Sequence, residues 1–170
     1  MNLFLYLLHR PAGMKFLEPI ASSENQALLD SFIEHAKNGK PVFLFLYLDN
    51  CNPCNATKEN WKEIPNFISD DNKKSDVMVA QINQELYGII QKKVDIGIQP
   101  ESFPTLRYIR GKNIEEYDSD RSAKGLATWI ESTLEKQSQK GGATRRRHKR
   151  RKRRTHKRRK TSKRKRRRTV

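Results

Sequence analysis

Charge divides this 170-residue chain more sharply than any other property. Residues 140–170 contain 20 Lys or Arg and no Asp or Glu, so this stretch cannot build a core. With so little apolar surface to offset the entropy of ordering, it is expected to be disordered when free. Folding is thereby confined to residues 1–139, which hold 16 basic against 19 acidic side chains, a net of −3. That length suits one domain. A near-neutral globule joined to a polycation is not a uniformly basic nucleic-acid-binding fold. With only two cysteines, Cys51 and Cys54, it is not a disulfide-scaffolded miniprotein either. Mean hydropathy is −0.91 and no apolar run approaches 18 residues, so no transmembrane helix is expected.

Within the first 139 residues, periodicity sets the elements. Leu28, Leu29, Phe32, Ile33 and Ala36 fall at helical spacing over residues 23–38, with Ser23 and Gln26 in the pattern of a capping box and Gly39 as the stop. Residues 42–48 (VFLFLYL) form an unbroken apolar run between breakers, the mark of a strand buried on both faces. A helix is expected over residues 55–69, ended or kinked near Ile64 by Pro65. Residues 77–82 (VMVAQI) read as a second buried strand, and residues 86–94 as a short helix. Residues 106–109 and 114–117 flank Arg110-Gly111-Lys112-Asn113, a hairpin signal. A last helix over residues 122–136 turns Leu126, Trp129, Ile130 and Leu134 inward. This order predicts an α/β sandwich with helices on both faces of a sheet.

The two cysteines sit in Cys51-Asn52-Pro53-Cys54, between a buried strand and a helix. One helical turn brings their Cα atoms within the roughly 7 Å that a disulfide needs. A helix N-terminus, with free N–H groups and partial positive charge, favours thiolate over thiol. Cys51 is therefore expected to be the exposed attacker and Cys54 the buried resolving thiol. Pro53 suits an early helical position, where its missing N–H costs little. Two competing readings are weaker. Half a zinc site would need partners, yet His9 and His35 are the only histidines before the tail and neither lies at ligand spacing. A purely structural disulfide closing so small a loop would restrain little chain entropy. No metal and no cofactor beyond the cysteine pair is expected.

Residues 22–136 resemble the thioredoxin superfamily, above all the catalytic a-type domains of protein disulfide isomerases. Residues 44–54 (LFLYLDNCNPC) are similar to the family's strand and active-site motif, and residues 60–64 (NWKEI) to the helix segment beneath it. Phe103-Pro104-Thr105-Leu106 matches the cis-proline loop, and residues 117–121 (YDSDR) ahead of Trp129-Ile130 resemble the closing strand, arginine and last helix. The resemblance implies a three-layer α/β/α sandwich around a mixed sheet, acting on protein disulfides or dithiols. It implies that Cys51 attacks and Cys54 resolves a mixed disulfide. It further implies that Pro104 is cis with Phe103 facing Cys51, that Asn50, Asn52 and Pro53 border the substrate, and that Arg121 adjusts Cys54. Four features depart from the family pattern, the first being the central pair Asn52-Pro53 in place of the Gly-Pro of thioredoxins or the Gly-His of isomerases. Phe45 stands six residues before Cys51, where the family carries a buried acid; Asn50 replaces a Trp; Asp120 replaces the Gly before the arginine. Turnover is expected to suffer, which keeps open a second reading: a polyanion-binding or packaging protein with a thioredoxin-like binding module.

The remaining segments carry no fold of their own. Residues 137–144 read as a flexible linker. Residues 145–170 contain 19 Lys or Arg, densest at Arg145, Arg146, Arg147, Lys149, Arg150, Arg151, Lys152, Arg153 and Arg154. Such a run binds polyanions through counterion release, and with no aromatic residue to stack on bases it is not expected to read sequence. Nucleic acid or a nuclear import receptor are the expected partners; the tail is similar in style to those on proteins of large DNA viruses. Residues 1–21 read as an extension. Their apolar run at residues 3–8 (LFLYLL) is short for a secretion signal and reads better as an edge strand or as chain upstream of Met14. The expected location is cytoplasmic or nuclear, or a virion.

Overall fold

The computed structural model describes residues 13–20 and 25–139. The run at residues 3–8, the capping residue Ser23 and the basic tail lie outside them. The elements, in chain order, are β1 (Lys15–Phe16), α1 (Gln26–Lys37), β2 (Val42–Tyr47), α2 (Asn52–Glu63), α3 (Asp70–Lys73), β3 (Met78–Asn83), α4 (Tyr87–Gln91), β4 (Thr105–Arg110) and β5 (Asn113–Tyr117). A final helix, α5, covers residues 123–139. The chain divides after Ile130 into two compact units. Sheet and site belong to the first; the described part of the second is the helical stretch 131–139.

The sheet order is β1-β3-β2-β4-β5, with β1, β3 and β2 parallel and β4 and β5 antiparallel to their neighbours. β2 is central and every one of its residues is buried, as an unbroken apolar run requires. Alternation splits its side chains between two layers. Val42, Leu44 and Leu46 join Met78, Ala80 and Ile82 in a core with Leu29, Phe32, Ile33 and Ala36 of α1 and Leu86, Tyr87 and Ile90 around α4. On the opposite face, Phe45 packs on Trp61 of α2 at 5.4 Å and Phe43 on Trp129 of α5 at 5.0 Å. Helices thus cover both faces of a mixed sheet, and the fold is a thioredoxin-like α/β/α sandwich.

Several boundaries move from their expected places. The sheet recruits chain ahead of residue 22: Lys15 and Phe16 pair with Met78 and Val79, and Ile20 bridges Ile82. α1 begins at Gln26 with Asn25 as its N-cap, so Gln26 opens the helix and cannot occupy the third position of a capping box. Its Nε2 instead donates to Asp30 Oδ1 at 2.7 Å. α2 starts at Asn52, three residues early, because Pro53 fits the first turn. It ends where Pro65 forbids more, giving way to a 3₁₀ turn over Ile64–Asn66. α5 runs to residue 139, so the first residues of the expected linker are helical.

Candidate active site

The site forms where β2 hands over to α2. Asn50 turns the chain with φ of +56°, a left-handed conformation that Asn tolerates better than most residues. Cys51 then occupies the N-cap of α2 in extended conformation, and its Sγ accepts a hydrogen bond from Cys54 N–H at 3.3 Å. The helix thereby donates one of its free first-turn N–H groups to the sulfur. Cys51 and Cys54 are joined by a disulfide, with Cα atoms 5.2 Å apart. Their environments differ: Cys51 is half-buried, while Cys54 is fully buried beneath the helix. Asn52 and Pro53, between them, are exposed.

Facing the disulfide is the loop that leads into β4. The Phe103–Pro104 peptide bond is cis, and Phe103 O lies 4.0 Å from Cys51 Sγ. Pro104 is buried and Phe103 half-buried. The structure therefore brings together Asn50, Cys51, Asn52, Pro53, Cys54, Phe103 and Pro104. Arg121 is drawn in only through its backbone, whose O accepts from Asn60 Nδ2 of α2 at 2.9 Å. Its guanidinium instead pairs with Asp118 at 3.3 Å. The tail residues from Arg145 onward fall outside the described chain.

Beneath α2 the sheet offers no carboxylate and no amine in the buried layer, only the phenols of Tyr47 and Tyr108. Phe45 is fully buried, and its register partners Gln81 and Leu106 flank it on the same face. Tyr47, one step nearer the site, has a phenol pushed above its ordinary range by burial and by the neighbouring Asp49 carboxylate. Lys58 of α2 places its ammonium over that ring, 3.7 Å from the centroid. Asp49 is itself held by Asn83, whose Nδ2 donates to Asp49 Oδ2 at 2.8 Å. The sequence reading missed this pairing and the buried carboxamide of Gln81. Their signal is faint: two polar residues at the far end of an apolar strand.

The loop before Pro104 is strapped from two sides. Tyr87 Oη donates to Gly97 O at 2.6 Å, and Arg107 Nη1 donates to the adjacent Ile96 O at 2.8 Å. Arg107, only 1% exposed, also grips Glu116 Oε1 through Nε at 2.9 Å and Nη2 at 2.6 Å. Among the described residues no cluster of three or more His, Cys, Asp or Glu could hold a metal ion. None of the described helices is long and apolar enough to cross a membrane.

This sheet order with a CxxC bridge at the head of the helix after the central strand defines a thioredoxin-like domain. No family model matches the sequence, and no curated protein matches it. Solved structures do. The J-Trx1 fragment of ERdj5 is 18% identical with a TM-score of 0.47, over 72% of this chain and 52% of that one. Human ERp44 in its zinc-bound form is 21% identical with a TM-score of 0.49, over 68% of this chain and 31% of that one. The first thioredoxin domain of mouse protein disulfide-isomerase A4 is 18% identical with a TM-score of 0.46, over 69% of this chain and 72% of that one. The chain thus spans about half of the ERdj5 fragment and about a third of ERp44.

Proposed function

We propose that the domain carries out thiol–disulfide exchange on protein cysteines, with Cys51 as the attacking sulfur and Cys54 as its resolving partner. One observation carries this reading. The two sulfurs form a bridge at a helix N-terminus, and only the first residue of the pair reaches solvent, beside the Phe103 carbonyl. Exposure lets Cys51 meet a partner sulfur, and the Cys54 N–H that its Sγ accepts would stabilise a thiolate there. Asn50, Asn52 and Pro53 on one side and Phe103 and Pro104 on the other would border the partner segment. Arg121 would bear on Cys54 only after leaving Asp118. In a reducing cytosol or nucleus, the expected direction is reduction of partner disulfides.

The tail would add a second property: association with nucleic acid by counterion release, or targeting to a nucleus or particle. The burial of Phe45 beneath α2 favours the companion reading, a thioredoxin-like module that binds more than it turns over. An insulin-reduction assay decides whether there is exchange chemistry at all. Wild type is expected to reduce insulin, and Cys51→Ser to abolish the activity. A wild type no faster than the Cys51→Ser, Cys54→Ser double variant would refute the exchange reading.

A further inference from the structure

Opening the Cys51–Cys54 bond would leave two thiols in unlike surroundings. Cys51 stands at the surface with a helix N–H on its sulfur. Cys54 is sealed under α2, above the layer of Phe45, Gln81 and Leu106, with Trp61 on the Phe45 ring. The only ionisable groups in that layer are the phenols of Tyr47 and Tyr108, both pushed up by burial, and a neutral phenol takes no proton from a thiol. Gln81 is 4% exposed and its Oε1 has no hydrogen-bond partner, but a carboxamide accepts hydrogen bonds without acting as a base. The charged groups nearby are committed at the rim: Asp49 to Asn83, Lys58 to the Tyr47 ring, Arg121 to Asp118. Glu115, the register partner of Tyr108, is exposed on the edge strand. A buried thiol without a base stays protonated, and only the thiolate attacks a disulfide.

We propose that the reduced domain is a covalent holder of partner proteins: it captures them at Cys51 faster than Cys54 lets them go. This deepens the exchange reading and rests on it. A small dithiol reductant first opens the Cys51–Cys54 bond, itself becoming a disulfide. The Cys51 thiolate then attacks an exposed disulfide of the partner. A bond forms between Cys51 Sγ and one partner sulfur, the partner's own S–S bond breaks, and its second sulfur leaves as a thiolate that takes a proton from water. Release requires Cys54 to give its proton to water or hydroxide and attack Cys51 Sγ. That step expels the partner thiolate and remakes the internal bridge. Capture does not involve the Cys54 thiol; release waits on its ionisation.

The test uses the full chain, reduced with dithiothreitol, freed of it, and mixed with insulin. Acid quenching, alkylation and non-reducing electrophoresis then follow the Cys51–insulin adduct, with mass spectrometry to place the bond. The adduct is expected to accumulate in the wild type. Its decay should quicken about tenfold per pH unit from pH 7 to 9, as the Cys54 thiolate fraction grows. Gln81→Glu, which puts a carboxylate into the layer with little change of shape, is expected to shorten the adduct's lifetime tenfold or more. A wild-type adduct that decays as fast as that of Gln81→Glu overturns the proposal. So does a wild-type decay rate that levels off below pH 8, a measurement that needs no variant to fold. Insulin that is reduced without any adduct overturns it while sparing the exchange reading. Insulin neither bound nor reduced removes both.

Discussion

Asn50 shows how a single residue fixes the approach to the site. At φ of +56° it occupies a conformation that disfavours β-branched side chains and suits Gly or Asn. Asn50→Gly is expected to leave stability nearly unchanged, whereas Asn50→Val should cost about 1–2 kcal/mol in urea denaturation. His35 supplies the pH-dependent counterpart. It is buried in the α1 layer, its Nε2 lies 3.1 Å from Pro41 O, and burial lowers its pKa despite that bond and the nearby Asp76. The folded state therefore favours the neutral ring. Its contribution is intact above the unfolded pKa of about 6.5 and is lost as pH falls from there through the folded value. Asp76, held below its ordinary range by the hydrogen bond from Lys40, titrates lower and leaves this window separate. Denaturation of wild type and His35→Gln at pH 7.5 and 5.5 should show a steeper loss in wild type.

The pairing of β4 with β5 explains both what the sequence disclosed and what it hid. The apolar runs and the Gly111 turn marked the strands, and Gly111 does take a positive φ of 60°. The same hairpin register places Arg107 opposite Glu116. A charged residue amid TLRYIR could have been matched to its partner by counting across the two-residue turn. Its third bond, to Ile96 O, could not have been found this way, because it joins a strand to a loop. Losing one partner of a buried ion pair costs about 3–5 kcal/mol. The Glu116 side chain is 59% exposed, so water replaces much of what it provides. Glu116→Ala is expected to cost about 1–3 kcal/mol, read from urea midpoints. Gly97→Ala, whose Cβ would sit 3.0 Å from Arg107 Nη1 at a φ of +94°, should destabilise the same strap.

Across the whole molecule, the legible parts were those with a period or a motif. Residues 42–48, the helical stripes and CNPC all carry local patterns. The helical range expected from residue 55 began three residues late, although the motif itself already put Pro53 in a first helical turn, where the structure has it. β1 was missed because two residues display no alternation. Gln81 was invisible as an oddity until the strand register set it beside Phe45. Charge organises the chain at this scale, and it yields a separable prediction. Deleting residues 140–170 should abolish salt-sensitive DNA binding, measured by titration at several salt concentrations, and leave insulin reduction unchanged. Retained binding by the net −3 remainder would refute a role for the tail in that association.

The short strand β1 has a practical consequence for anyone expressing the folded part alone. Trimming at residue 22, the start suggested by family likeness, would discard the only chain that pairs with the outer side of β3 among the described residues. Met78, Val79 and Ile82 would then line an open seam of unpaired N–H and carbonyl groups, ready to zip one copy to the next. A shortened version that clumps would thus say nothing against the proposed exchange chemistry; it would show where the cut was made.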